Sequence, residues 1–125
     1  SGTYVYFQEH VLTKADFAAT VRLMPSTGAI VPALKDDKWA IGYGGVAYGE
    51  NSQIKILKVK STPDGPAVFP SEVAVHDGSY PISRPLFYYT NGQPAGETKA
   101  FIDWCLSPAG QKVVVESGYM TVKQG

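Results

Sequence analysis

The sequence predicts an α/β protein with a mostly parallel sheet flanked by helices. Helical and strand-like segments alternate along its 125 residues, and no segment is repeated. Hydrophobic residues make up 44% of the chain, which is close to the globular average, so the chain can bury a core. Because domains usually have about 100–150 residues, the length is that of one domain or of a piece of a larger protein.

The charge balance and the small numbers of cysteine and histidine residues exclude several classes of partner and cofactor. The 11 Lys and Arg side chains equal the 11 Asp and Glu side chains in number, so the clustered cations of a nucleic-acid binder are missing. Cys105, the single cysteine, excludes an internal disulfide and a Cys-based zinc site. His10 and His76 are too far apart in sequence to indicate a metal cluster. We therefore expect no nucleic-acid partner, no metal and no other cofactor.

The first half of the chain predicts two helices separated by short strands. Apolar residues recur at helical spacing over residues 3–12, directly after Ser-Gly-Thr. Ser-Thr-Gly at 26–28 begins a second helix that runs to about residue 36, and Pro32 either delays its start or kinks it. Strands are predicted at residues 21–23, 39–43 and 54–59.

The second half predicts three helices, whose ends are marked by capping residues. Ser71 begins a short helix that Gly78 stops, residues 97–106 form a helix facing a core, and Ser107-Pro108 begins a third that ends before Gly118. The predicted strands are the aromatic segment 84–90, closed by the Asn-Gly turn at 91–92, and residues 119–122.

Ser1, Gly2 and Thr3 are the candidate ligand-binding residues. The first N–H groups of a helix have no partner within the helix, and the helix dipole places about half a positive charge there. Glycine permits close approach and the hydroxyls add donors, so these residues suit an anion without requiring net positive charge. They also suit a plain N-cap, and the residues alone favour that simpler interpretation.

Other motifs indicate structure rather than chemistry. Residues 42–47 match the G-x-G-x-x-A pattern of dinucleotide-binding loops, but too few residues follow for the required helix, so we expect glycine turns with positive φ. Ser26, Ser71 and Ser107 begin helices and lack the nucleophile-elbow motif. Asp103 has no partner carboxylate, so a solvated face or a local salt bridge explains it better than catalysis. No catalytic residue is predicted.

Several segments, taken in order, resemble phosphate-binding proteins, the substrate-binding components of phosphate ABC transporters. The resemblance extends over nearly the whole chain and corresponds to the C-terminal half or so of the family. The matching stretches are Ser-Gly-Thr at 1–3, STGAIV at 26–31, AIGY at 40–43, DGSYPISRPL at 77–86, and AFIDW at 100–104 continuing to LSPAGQK at 106–112.

The resemblance implies a partial type II periplasmic-binding-protein fold, with residues 1–80 from the second lobe and residues 81–125 returning toward the first. It implies that Ser1, Gly2 and Thr3 bind inorganic phosphate, and that the chain binds rather than catalyses. The implied partner is the membrane permease of an ABC transporter, and the implied location is periplasmic or extracellular, with a lipoprotein anchor as one option. The alternatives are a binding or sensor domain for another oxyanion, and an α/β enzyme that uses residues 1–3 as a phosphate cradle.

Two features of the family are missing from this sequence: an arginine shortly before Ser-Gly-Thr, and the N-terminal lobe with the acidic residue that accepts the phosphate proton. We therefore expect the isolated chain to bind phosphate feebly, because binding in this fold depends on two lobes that close and exclude water. We also expect residues 84–90 and 97–106 to expose apolar faces and to promote self-association or strand exchange.

Overall fold

The computed structural model describes residues 2–50 and 52–122. The chain divides into two compact units, Ser1–Leu57 and Lys58–Gly125. The first unit contains α1 (Gly2–His10), α2 (Thr27–Asp36) and a three-residue 3-10 helix (Val46–Tyr48), and the second contains α3 (Glu72–His76), α4 (Gly96–Leu106) and α5 (Pro108–Glu116). Within the described ranges, none of these helices has the length and apolar character needed to cross a membrane.

The predicted parallel sheet is wrong for the described part of the chain. Its one β-bridge is antiparallel and joins Val59 to Val68 through two N–H···O=C bonds of 2.9 Å. The segments predicted as strands at 21–23, 39–43, 84–90 and 119–122 pair with no other segment there. A parallel strand is stable only between neighbours that complete its backbone hydrogen bonds. The sequence pattern identified apolar segments, but these segments have no pairing partner among the described residues.

The predicted starts at Ser26, Ser71 and Ser107 and the predicted stops at Gly78 and Gly118 are confirmed, whereas α1 ends at His10, two residues before the predicted end. Ser26, Ser71 and Ser107 are N-caps whose hydroxyl oxygens accept backbone N–H bonds at 3.2–3.3 Å from the residue three positions further on. After α3 and α5 the chain reverses at Gly78 (φ 78°) and Gly118 (φ 82°), a left-handed conformation that glycine adopts without steric cost. These boundaries depend on local chemistry, which is why the sequence predicted them.

Aromatic side chains hold α1 in place within the first unit. The ring of Phe7 stacks on that of Tyr43 with centroids 3.9 Å apart and planes 8° from parallel. Tyr4, one turn earlier, stacks on Phe17 at 4.5 Å. Because such pairs add attraction beyond the apolar area they bury, these four rings fix the start of α1 relative to residues 17 and 43.

The glycines at 42–45 serve close packing rather than a turn. A Cβ atom on Gly42 would lie 3.0 Å from Ile30 Cγ2, and one on Gly44 would lie 2.6 Å from Thr27 Cγ2. Neither glycine has a positive φ, so the predicted turn conformation is wrong. The chain then forms only the 3-10 helix Val46–Tyr48, which confirms that the dinucleotide-binding interpretation lacks its helix.

In the second unit, α4 and α5 form a tight hairpin. A Cβ on Gly110 would lie 2.2 Å from the Trp104 carbonyl oxygen, so the α5 backbone passes directly over the end of α4. The side chain of Gln111 donates to the Cys105 carbonyl at 2.8 Å. The apolar side chains of α4 contribute little to a core: Phe101 is 58% exposed and Leu106 is 53% exposed. The prediction that this helix faces a core is therefore wrong for the described residues, because no side chain of α4 is buried.

The segment around Thr121 is tied to α3 and α5 by side-chain hydrogen bonds. His76 Nε2 lies 2.7 Å from the Thr121 carbonyl oxygen, and since a carbonyl only accepts, Nε2 carries the proton. The Glu72 carboxylate accepts from both the backbone N–H and the hydroxyl of Thr121. The Val122 N–H donates to Gln111 Oε1 at 2.7 Å. These bonds join residues up to 49 positions apart.

This attachment predicts an acid-sensitive second unit. The Thr121 hydroxyl, and then its backbone N–H, lower the pKa of Glu72 below the ordinary 4.5. A carboxylate with a depressed folded-state pKa stabilises the fold fully above its unfolded pKa, and that stability is lost as pH falls through the folded-state pKa. We expect amide exchange at Thr121 to accelerate as pH is lowered below about 4.5, after correction for intrinsic exchange.

The variant Glu72→Gln is expected to lack most of this acid dependence, whereas the matched helix-start variant Glu97→Gln is expected to retain it. Equal acid profiles for wild type and Glu72→Gln would contradict the assignment.

Candidate anion-binding site

A cavity of about 690 Å³ lies within the first unit, beside the start of α1. Its walls come from the beginnings of α1 and α2, the chain between these helices, and residues 37–43. The lining is mainly apolar, so the polar groups in it mark where a charged ligand would be held. The polar lining side chains are those of Thr3, Tyr4, Thr20, Arg22, Ser26, Thr27, Asp37 and Tyr43.

The predicted site residues lie at one edge of this cavity. Gly2 is the first residue of α1 and is exposed, and Thr3, the second, is half-buried and lines the cavity. Ser1 lies outside the described residues. No group within residues 2–50 and 52–122 accepts a hydrogen bond from the backbone N–H of Gly2 or Thr3. Two main-chain donors at the positive end of a helix dipole are therefore available to an anion.

The start of α2 borders the same cavity. Ser26 has an extended backbone (φ −157°, ψ 161°), and its hydroxyl oxygen accepts the Ala29 N–H at 3.3 Å. Thr27, the first residue of α2, is half-buried in the cavity wall. Two helix starts with hydroxyl side chains thus face one space. Sequence analysis missed this convergence, although Ser-Thr-Gly at 26–28 repeats the residue types of Ser-Gly-Thr at 1–3.

One cation and one carboxylate complete the polar lining. Arg22 is exposed at the cavity and forms no hydrogen bond or ion pair with any described residue. Asp37 uses its Oδ1 atom to accept the Trp39 N–H at 3.0 Å. Arg22 and Asp37 thus contribute opposite formal charges to the lining. Sequence analysis missed Arg22, and the available signal was an arginine four positions before a Ser-Thr-Gly helix start.

Tyr43 contributes an uncharged hydroxyl to the cavity. Burial raises the pKa of this phenol above its ordinary 10, and the nearby Tyr4 raises it further. The group therefore stays protonated at neutral pH and does not repel an anion.

The residues considered for other chemistry take structural roles. His10 Nδ1 lies 3.0 Å from the Tyr6 carbonyl oxygen, and Asp103 forms the predicted local salt bridge, with Lys99. Across residues 2–50 and 52–122, no three His, Cys, Asp or Glu side chains come close enough to hold a metal ion. The cavity lining contains hydrogen-bond donors, among them the Thr3 and Thr27 hydroxyls and the Arg22 guanidinium.

Comparison with known proteins identifies the family. A family model described as a PBP superfamily domain matches residues 1–109. The phosphate-binding protein PstS of Pseudomonas aeruginosa is 34% identical over 124 residues, which cover 96% of this chain and 38% of the relative. PstS of Staphylococcus saprophyticus is 36% identical over 104 residues, which cover 82% of this chain and 32% of the relative. PstS of Staphylococcus aureus is 33% identical over 127 residues, which cover 98% of this chain and 38% of the relative.

The chain therefore spans 32–38% of the length of these curated relatives. The resemblance to phosphate-binding proteins is confirmed by identities of 33–36% across most of the chain. Since the family model matches well over half of its residues, this chain belongs to the PBP superfamily.

Proposed function

We propose that this chain is part of a solute-binding protein that binds inorganic phosphate for uptake by an ABC transporter. The observation that carries the proposal is the pair of N–H groups on Gly2 and Thr3 at the start of α1, which have no hydrogen-bond acceptor among residues 2–50 and 52–122. The relatives named phosphate-binding protein PstS support phosphate as the anion. The proposed location is outside the cytoplasm, and the proposed partner is the transporter's membrane permease.

In the proposed complex, phosphate oxygens accept hydrogen bonds from the Gly2 and Thr3 N–H groups and from the Thr3 hydroxyl. Bonds from neutral donors to an ionised acceptor are shorter and stronger than bonds between neutral groups. The dipole of α1 adds attraction without a permanent counter-charge. From the sequence, the Ser1 hydroxyl is predicted to be a further donor to the phosphate.

The second helix start gives this site a further set of donors. Thr27 and Arg22 line the same cavity as Thr3 and have polar groups suited to phosphate oxygens. In the proposed complex, Arg22 supplies a positive charge to the anion. An arginine without an ion-pair partner among the described residues can turn toward an anion without first breaking a salt bridge.

We propose binding rather than catalysis. The hydroxyl oxygens of Ser26, Ser71 and Ser107 already accept backbone N–H groups as helix caps. A serine nucleophile instead needs a base within hydrogen-bond reach to take its proton. The chain resembles one lobe and part of another, with residues 1–80 in the second lobe and residues 81–125 returning to the first, and tight binding is proposed to require both lobes.

Titration with inorganic phosphate, followed by the ³¹P NMR line of the ligand, tests this proposal. We expect the isolated chain to bind with a Kd of about 1 mM or weaker, since tight binding is proposed to require both lobes. Thr3→Val is expected to weaken this binding by roughly tenfold, because a hydrogen bond to a charged group contributes about 1.5–3 kcal/mol. Thr98→Val removes a hydroxyl from the first turn of α4 and is the matched control, with no expected effect.

Four outcomes would contradict these expectations. A micromolar Kd would show that one lobe suffices, and unchanged binding by Thr3→Val would remove the site from α1. Equal weakening by the control would indicate a non-specific loss. Tighter binding of sulfate than of phosphate under the same conditions would favour a receptor for another oxyanion.

A further inference from the structure

Residues 42–44 pass closely along one side of α2 in the first unit. A Cβ atom on Gly42 would lie 3.0 Å from Ile30 Cγ2, and one on Gly44 would lie 2.6 Å from Thr27 Cγ2. Thr27 and Ile30 are three positions apart on α2, so they lie on the same side of this helix. The two glycines therefore face α2, and the absence of side chains on them permits the close approach.

The residue between these glycines contacts α1 instead. The ring of Tyr43 stacks on that of Phe7 with centroids 3.9 Å apart. Side chains alternate between the two sides of an extended segment, and in this segment position 43 faces α1 while positions 42 and 44 face α2. The segment thus contacts both of the helices whose starts border the cavity, where Thr3 and Thr27 lie.

The side chain of Thr27 has a methyl group against Gly44 and a hydroxyl group that is available to a ligand. Thr27 is half-buried and lines the cavity. Its hydroxyl has no hydrogen-bond partner within residues 2–50 and 52–122. Because the methyl and the hydroxyl are both attached to Cβ, the rotamer that directs the methyl toward Gly44 also fixes the direction of the hydroxyl.

We propose that Gly44 is a positioning residue for phosphate binding: the space left by its missing side chain holds the Thr27 methyl group and so fixes the Thr27 hydroxyl as a donor to the anion. The inference rests on the proposed function, in which Thr27 is one of the donors to phosphate. Gly44 does not line the cavity, so it acts through Thr27 rather than by contact with the anion.

A methyl group at position 44 would force the Thr27 side chain to rotate. Two atoms of the described residues lie within 4 Å of the added Cβ, apart from the adjacent residues, and both belong to Thr27. Cγ2 at 2.6 Å is too close, whereas Cβ at 3.9 Å is at an ordinary distance. The staggered rotamer that turns the hydrogen on Thr27 Cβ toward position 44 relieves the contact, and it moves the hydroxyl by about 120°. Since no backbone atom has to move, the substitution changes the direction of the hydroxyl while α2 stays folded.

Titration of the Gly44→Ala variant with inorganic phosphate, followed by ³¹P NMR, tests this role. We expect binding to weaken roughly tenfold, the change that accompanies loss of one hydrogen bond to an ionised acceptor. Three-bond couplings to Thr27 Cγ2 are expected to report a new side-chain rotamer. The neighbouring Gly45→Ala is the matched control, because its added Cβ would meet Tyr48 Cδ2 at 3.5 Å, an ordinary contact. It is expected to change neither phosphate binding nor the Thr27 rotamer.

Two further variants separate positioning from a general structural effect. Thr27→Ser added to Gly44→Ala removes the methyl group that meets the new Cβ and keeps the hydroxyl, so this double variant is expected to recover most of the lost affinity. In the Thr27→Val background, which lacks the hydroxyl, Gly44→Ala is expected to weaken binding by less than about twofold, because both substitutions remove the same hydrogen bond.

An unchanged phosphate affinity or an unchanged Thr27 rotamer in Gly44→Ala would overturn the proposal. So would equal weakening by Gly45→Ala, or failure of Thr27→Ser to restore binding. The Thr3→Val variant distinguishes these failures from failure of the proposed function. If Thr3→Val weakens binding and Gly44→Ala does not, phosphate binds at α1 and Gly44 has no positioning role. If neither variant weakens binding, both proposals are wrong.

Discussion

Replacement of Gly110 by alanine is expected to disrupt the α4–α5 hairpin. The added Cβ would lie 2.2 Å from the Trp104 carbonyl oxygen and 2.6 Å from that of Cys105. Both neighbours are backbone atoms, so neither moves aside as the end of a flexible side chain would. Overpacking typically costs about 1–3 kcal/mol, and this contact belongs at or above the upper end of that range. We expect α5 to separate from α4, with loss of the Gln111 hydrogen bond to Cys105.

Gly28→Ala is the matched control for this substitution, because Gly28 is also a helical glycine. Its added Cβ would meet Ser26 Oγ at 3.8 Å, an ordinary van der Waals distance. Alanine has the higher helix propensity, so this variant is expected to be neutral or slightly stabilising. Thermal unfolding followed by circular dichroism, with amide exchange of α4 and α5, measures both effects. Equal stability of the Gly110→Ala variant and the wild type would contradict the close approach of the two helices.

Phe7→Ala is expected to destabilise the first unit by about 2–3 kcal/mol, less than the ~3–5 kcal/mol for a fully buried phenylalanine, because Phe7 is half-buried. The substitution removes the stack on Tyr43 at 3.9 Å and the contact with Phe17 at 6.2 Å. The Tyr4 stack on Phe17 at 4.5 Å and the Gln8 side chain, which donates to the Ala15 carbonyl at 3.3 Å, then hold α1 to the rest of the unit. Since α1 carries Gly2 and Thr3, phosphate binding is expected to weaken along with stability.

Val5→Ala is the control for Phe7→Ala, since Val5 lies on the same helix and is 48% exposed. We expect this variant to change stability by about 0.5 kcal/mol or less. Chemical denaturation of both variants, followed by tyrosine fluorescence, measures the difference. An equal effect of the two substitutions would show that the stacked rings do not anchor α1.

Local chemistry explains which parts of the fold could be predicted from sequence. Each serine cap accepts a backbone N–H from the residue three positions further on, and each terminating glycine has a positive φ. The helix boundaries therefore depend only on residues close in sequence. A sheet requires hydrogen bonds to other segments, and residues 84–90 have apolar strand composition without such a neighbour in the described structure. Periodicity identifies a strand-like segment but not the segment that pairs with it.

The candidate site likewise contains residues that could be predicted from the sequence and residues that could not. Gly2 and Thr3 follow from the start of one helix, which the sequence shows directly. Arg22 and Thr27 reach the same cavity only because the chain after α1 folds back, with Phe17 against Tyr4 and residues 42–44 against α2. This convergence depends on tertiary packing, so it cannot be predicted from the spacing of residues along the chain.

Amide chemical-shift mapping by ¹H–¹⁵N NMR during titration with inorganic phosphate tests the central claim most directly. The main-chain N–H groups of Gly2 and Thr3 are predicted to show the largest shifts, with Thr27 and Gly28 next, while amides of α4 stay unchanged. If the Gly2 and Thr3 signals do not move at saturating phosphate, or move no more than those of α4, the anion does not bind at the start of α1.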